Sequence, residues 1–182
     1  MTRVPYVNRE DLDAEGQKIY DQIRQDRNTD EVGLQFRALL NSPQAAGHLT
    51  SMGAQLRFHS SIPENLKELT IILVAREWNS DIEWTGHSVL AAQAGVSDAS
   101  IESIRTRKTS EGLTGQEATI ARFVHEMLQD KQVSDATFAA AQGIVGERGV
   151  VDLTLTVSYY SALALAQIAL KLEMGPGRVS TL

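Results

Sequence analysis

Glu83 and His87 stand four residues apart. On a helix that spacing places both side chains on one face, about one turn from each other. A carboxylate beside an imidazole settles which ring nitrogen carries the proton and raises the basicity of the ring. Such a pair can serve as a general acid or base. Trp84, next to Glu83, would supply an apolar wall. Glu68 lies upstream and would face the pair if the chain folds back between them. Two carboxylates and one histidine could then pass a proton to and from a carbon or oxygen centre. Arg76 offers a guanidinium fork that suits a substrate carboxylate. It could equally pair with Glu77 or Asp81. By spacing alone, Glu83 and His87 also suit a solvated surface pair worth a few tenths of a kcal/mol.

Positioning these residues requires helices, and helical signals dominate. Asn8 or Asp11 can cap a first helix carrying Leu12, Ile19, Tyr20 and Ile23. Pro43 after Ser42 marks a helix start, because proline is tolerated in the first turn. That helix is expected to run to about His59. Ile62-Pro63-Glu64 repeats the signal. It opens a helix bearing Leu66, Leu69, Ile72, Leu73 and Arg76, apolar enough to be central. Asn79-Ser80-Asp81 interrupts it and supplies capping oxygens. The next helix runs from about Asp81 to Ala94, with Gly95 as its stop. Ser97-Asp98 opens a short helix through Ile101 and Ile104. Thr114 and Glu117 form a capping-box pattern for another. Ser134 or Asp135 starts one that ends between Gly143 and Gly149. Val150–Val157 is the best strand candidate, because LTLTV alternates, but it flows into an Ala/Leu helix pattern. The expectation is an all-α bundle of about eight helices in a single domain, residues 1–182.

The chain of 182 residues is 42% hydrophobic and 22% charged, and it contains no cysteine. A chain this long needs no covalent or metal staple to form a core. Without cysteine there is no disulfide framework, thiolate nucleophile, iron–sulfur cluster or dithiol redox couple. The net charge of −6 argues against nucleic-acid or anionic-membrane partners, which favour a basic face. The N-terminus MTRVPYVNREDLD has no apolar secretory core. Val150–Leu172 is apolar on average but carries Asp152, Thr154, Thr156, Ser158, Ser161 and Gln167. It reads as a buried or intersubunit helix, not a membrane span. A cytoplasmic protein is the expectation.

A shift of 49 residues aligns Glu68, Thr70, Ile71, Glu77 and Asp81 with Glu117, Thr119, Ile120, Glu126 and Asp130. It also aligns Ala91, Ala92, Gln93 and Val96 with Ala140, Ala141, Gln142 and Val145. This suggests a duplicated helix pair, with a second copy over 113–146. Two Ala-rich amphipathic helices could also match by chance. Gln132 and Ala136 replace Glu83 and His87 in the second copy, so any chemistry belongs to the first. His125, the counterpart of Arg76, reads as structural.

The segment from Glu68 through Arg76, Glu83-Trp84-Thr85-Gly86-His87 and Gly95-Val96-Ser97 resembles the carboxymuconolactone decarboxylase family, whose members share the alkylhydroperoxidase-D-like all-helical fold. The likeness centres on residues 63–106 and is weaker elsewhere. The redox branch carries Cys-x-x-Cys-x-x-x-His. Ser80 and Glu83 occupy the cysteine positions, His87 the histidine and Glu68 the upstream glutamate. The dithiol peroxidase mechanism is therefore excluded. Glu83-Trp84-Thr85-Gly86-His87 is similar to the decarboxylase branch. The resemblance implies loss of carbon dioxide from a small lactone acid, with proton return to carbon. His87 would move the proton, Glu83 would partner it, and Glu68 would act as a second acid or an orienter. Arg76 and Trp84 would bind substrate. The resemblance also implies a homo-oligomer, a trimer or hexamer with sites near subunit boundaries.

Other signals are weaker. His48 and His59 lack a carboxylate at ligand spacing. Glu68, Glu83 and His87 could hold a divalent metal, but bundle metal sites favour Glu-x-x-His on two helices, so no metal site is expected. Gly86-His87-Ser88-Val89-Leu90 matches a nucleophile elbow only in part. No phosphate loop or dinucleotide fingerprint occurs, so no cofactor is expected. Tyr159 and Tyr160 suit the core or a pocket wall. Three functions stand as expectations. The first is a cysteine-free lyase or proton-transfer enzyme acting on a small organic acid or lactone. The second is a non-enzymatic oligomeric helical module with a vestigial site. The third is a metal-assisted oxidoreductase of the same fold.

Overall fold

The computed structural model describes residues 1–182 and is all-helical. Nine α-helices are joined by one 3-10 turn and one π turn, and the chain divides into two compact units.

The first unit comprises Met1–His59 and Leu165–Val179. It holds helices α1 (Ala14–Arg27), α2 (Leu34–Leu39) and α3 (Pro43–Phe58). The Asn8–Asp11 cap belongs to the 3-10 turn Arg9–Asp11, where the Asn8 N–H donates to the Asp11 carboxylate at 2.8 Å. α1 itself starts behind Asp13, whose Oδ1 accepts the Gly16 N–H at 2.8 Å. Gly47 lets α3 approach α1, since a Cβ there would lie 3.1 Å from Ile19. Ile23, Phe36, Leu40, Ala46 and Leu56 form this unit's core.

The second unit comprises Ser60–Ala164 and Ser180–Leu182. It holds α4 (Glu64–Trp78), α5 (Asp81–Gln93), α6 (Asp98–Arg105), α7 (Thr109–Gly112) and α8 (Gly115–His125), together with most of α9 (Asp135–Leu170). α4 is buried without interruption from Leu66 to Ala75. A helix buried on all sides must be enclosed by others, and α5, α6 and α8 pack against it. α4 ends at Asn79, which takes the left-handed conformation at φ 50°. The Ser80 N–H then donates to the Ala75 carbonyl at 2.8 Å, which turns the chain back into α5.

The last two expected helices are both present. Val150–Val157 is helical rather than extended. The Thr154 and Thr156 hydroxyls donate to the Val150 and Asp152 carbonyls at 2.8 and 2.7 Å. That bonding lets threonine sit inside a helix. The two helices expected on either side of Gly143–Gly149 are present as the two arms of α9, separated by a non-helical break at Gly146 with φ 78° and ψ 177°. Only glycine occupies that region readily. Nothing lies within 4 Å of a Cβ built at Gly146, so an added methyl meets no steric obstacle beyond the backbone. Gly146→Ala is therefore expected to lower unfolding free energy by about 1–3 kcal/mol. Urea melts measure this, and an unchanged midpoint would show that the arms can straighten without cost.

α9 starts against Glu126 of the π turn, whose carboxylate accepts the Ser134 N–H at 2.8 Å and the Thr137 hydroxyl at 2.7 Å. The Thr137 and Ser134 hydrogen bonds hold the Glu126 carboxyl below its ordinary value. Thr114, by contrast, makes no side-chain cap on α8. Glu117 accepts the Ser100 hydroxyl at 2.8 Å instead of closing a capping box. α9 is long and apolar enough to cross a membrane by length and composition, and half of its most apolar window is buried within the fold.

Candidate functional site

The hairpin of α4 and α5 brings Glu68, Glu83 and His87 together. Ser80 caps α5, its hydroxyl accepting the Glu83 N–H at 3.2 Å. This places Glu83 in the first turn and His87 one turn later. Glu68, on the second turn of α4, meets them from the facing helix. His87 Nδ1 lies 2.7 Å from Glu68 Oε2, and His87 Nε2 lies 3.6 Å from Glu83 Oε2. All three are buried, with Glu68 2%, Glu83 4% and His87 4% exposed. The solvated-pair alternative therefore fails on burial.

The arrangement gives each ring nitrogen a separate carboxylate. With its proton on Nδ1, His87 would donate to Glu68, and Nε2 would face Glu83. This is the orienting role a carboxylate plays toward a catalytic imidazole. Trp84 is 1% exposed and packs as core beside the pair. Tyr160, from α9, sets its ring edge-on to His87, with centroids 5.1 Å apart at 84°. Tyr159 stacks on Tyr160 in the same manner, at 5.1 Å and 89°. Sequence alone left Tyr160 between a core and a pocket-wall role, and it lies against the site. It lies far along the chain and looks like any core aromatic.

Arg76 is elsewhere. It stands eight residues beyond Glu68 on α4, about 12 Å along the axis. Its Nε donates to the Arg105 carbonyl at 2.7 Å and its Nη1 donates to Asn79. It lines a cavity with Arg107 and His125, which does not include Glu68, Glu83 or His87. Neither of the acidic partners expected for it, Glu77 or Asp81, takes its guanidinium. No group of three or more His, Cys, Asp or Glu side chains is arranged to hold a metal ion.

No protein-family model and no curated protein matches the chain. Solved structures do. The alkylhydroperoxidase AhpD core structure, described as an uncharacterized peroxidase-related protein from Ralstonia eutropha JMP134, superposes with a TM-score of 0.76. It is 10% identical, and the match covers 99% of this chain and 98% of that one. An identity that low carries the fold and no activity. The helical hairpin with its buried glutamates and histidine thus sits within a fold similar to that structure's over nearly its whole length. This chain adopts the all-helical alkylhydroperoxidase-D-like fold.

Proposed function

We propose that Glu68, Glu83 and His87 form the general acid/base centre of a cysteine-free lyase or proton-transfer enzyme acting on a small organic acid or lactone. One observation carries this reading: a buried imidazole with one nitrogen held by Glu68 at 2.7 Å and the other 3.6 Å from Glu83. Burying three ionisable groups is costly unless they satisfy one another, and a catalytic imidazole needs such an oriented partner. Glu68 sets the tautomer, His87 transfers the proton, and Glu83 receives or returns it. Carbon dioxide loss fits this set, because the carbanion left behind needs only a proton delivered to carbon.

The test is a turnover screen over lactones, β-keto acids and muconate-type acids, read by carbon dioxide release and product mass. His87→Ala and Glu83→Gln are expected to cut turnover about 10²–10⁴-fold, the usual worth of general acid–base catalysis. A panel in which no compound separates the variants from wild type would overturn the reading. The near-complete burial of the cluster favours one second reading, a non-enzymatic helical module held together by a polar network. It predicts lower melting temperatures in the same variants with no turnover anywhere.

The proposed enzyme assembles with copies of itself. Val151 and Leu155 lie one turn apart on α9, 56% and 40% exposed, and Val89 on α5 is 55% exposed. Light scattering is expected to give a multiple of the chain mass, and Leu155→Glu is expected to reduce it. A monomer at micromolar concentration would contradict this.

A further inference from the structure

The cavity lined by Arg76 and His125 holds more positive charge than the fold neutralises. Its volume is about 300 Å³, and Leu73 and Ile104 form its apolar part. Two guanidinium groups meet there. Arg76 Nη1 and Arg107 Nη2 both donate to one acceptor, the side-chain oxygen of Asn79. Arg107 Nη2 also donates to the Arg76 carbonyl at 3.0 Å. A neutral amide oxygen therefore clamps two like charges together. Like charges held this close repel. Burial, and then the neighbouring Arg107 charge, push the Arg76 guanidinium below its ordinary value, while Glu77 acts in the opposite direction.

Glu77 is the one carboxylate in the cavity wall and is only partly available. It lies 3.7 Å from Arg107 Nη1 and also accepts a hydrogen bond from Gln129 at 2.6 Å. Two arginines against one shared carboxylate leave an excess of positive charge. His125 and Thr109 lie on the same wall. Arg107 holds its place with a left-handed backbone, φ 60°, and so does Asn79, φ 50°. Non-glycine residues in that region cost energy, and they persist where the surroundings force them.

The 49-residue shift that relates α4 to α8 pairs Arg76 with His125. α4 and α8 pack against each other, so matched positions of the two copies face one space. Glu83 and His87 have no counterparts in the second copy, where Gln132 and Ala136 stand, but this cavity draws a basic side chain from each copy.

We propose that this cavity is a binding site for a small anion bearing carboxylate or phosphate oxygens, held by Arg76, Arg107 and His125. A guanidinium fork matches the spacing of two such oxygens. A bound anion would also relieve the repulsion between the clamped arginines. The site stands apart from the Glu68–His87 centre and does not depend on the acid/base reading.

Calorimetric titration of the full chain tests it at constant ionic strength, with inorganic phosphate in one arm, succinate in a second and chloride as the control. Saturable one-to-one binding is expected in at least one of the first two arms, and the tighter arm names the ligand's headgroup. Arg107→Ala should weaken it about tenfold or more, the usual loss for a hydrogen bond to a charged group. Glu83→Gln should leave it unchanged, which separates this site from the proton-transfer centre. If Arg107→Ala does not fold, Gln129→Glu places a carboxylate on the same wall and should weaken binding likewise. Heats no larger than chloride in both arms, or an affinity indifferent to these substitutions, would overturn the proposal.

Discussion

Glu68→Ala is expected to lower unfolding free energy by about 2–4 kcal/mol, from a lost buried hydrogen bond and a small cavity. Glu68 is 2% exposed and its Oε2 sits 2.7 Å from His87 Nδ1. Truncation leaves that nitrogen in the core without its acceptor, and water cannot replace it cheaply. Glu68→Gln preserves the shape and one acceptor oxygen, so its expected cost is smaller, about 1 kcal/mol. The pair of variants separates charge from packing. Chemical denaturation measures both, and nitrogen NMR of the imidazole reads the tautomer directly. In wild type the Nδ1-protonated form should dominate. In Glu68→Ala that preference should fall, because the remaining carboxylate, Glu83, lies on the Nε2 side at 3.6 Å. An unchanged tautomer with unchanged stability would mean that Glu68 does not orient the ring.

The second large effect belongs to Trp84. It is the largest of the fully buried side chains, at 1% exposure. Its removal to alanine should cost about 3–5 kcal/mol, the range for aromatic truncation in a packed core. Trp84→Phe, which keeps most of the apolar volume, should cost clearly less. The difference bears on function as well as folding. Trp84 lies between Glu83 and His87 in sequence, on the helix that presents both. Loosening that helix should relax the 2.7 Å and 3.6 Å spacings around the imidazole. Thermal melts and turnover on the same preparations test this. Activity lost in proportion to unfolded protein would place Trp84 in the core only. Activity lost at temperatures where the protein remains folded would place it in the support of the site.

Much of the helical framework is legible locally. Pro43 opens α3 because proline's fixed φ and missing N–H suit a first turn, and Pro63 stands one residue earlier, at the N-cap of α4. Asn79-Ser80-Asp81 reads as a break because a short polar residue tolerates the left-handed backbone and a hydroxyl can cap the next helix. The structure bears out both, with Asn79 at φ 50° and Ser80 accepting from Glu83. The short helices α2 and α7, Leu34–Leu39 and Thr109–Gly112, escape such reading because they are too brief to show a period. Val150–Val157 alternates as a strand would, yet Thr154 and Thr156 bond the carbonyls one turn back and the segment is helical.

The partnership of Glu83 and His87 was implicit in a four-residue spacing, which any helix converts into adjacency. Whether that adjacency faced water or the core was not, because burial depends on what the other helices cover. α4, with Glu68, and α9, with Tyr160, close over the imidazole from segments distant in sequence. The same limit applies to Arg76. Its residue type suited a carboxylate, but its neighbours were undetermined until α8 and Arg107 were placed beside it. Local sequence therefore determined the helices, their breaks and the pairs within one turn. Tertiary packing alone decided which charges are desolvated, and desolvation is what separates a solvated salt pair from the buried Glu68–His87–Glu83 cluster.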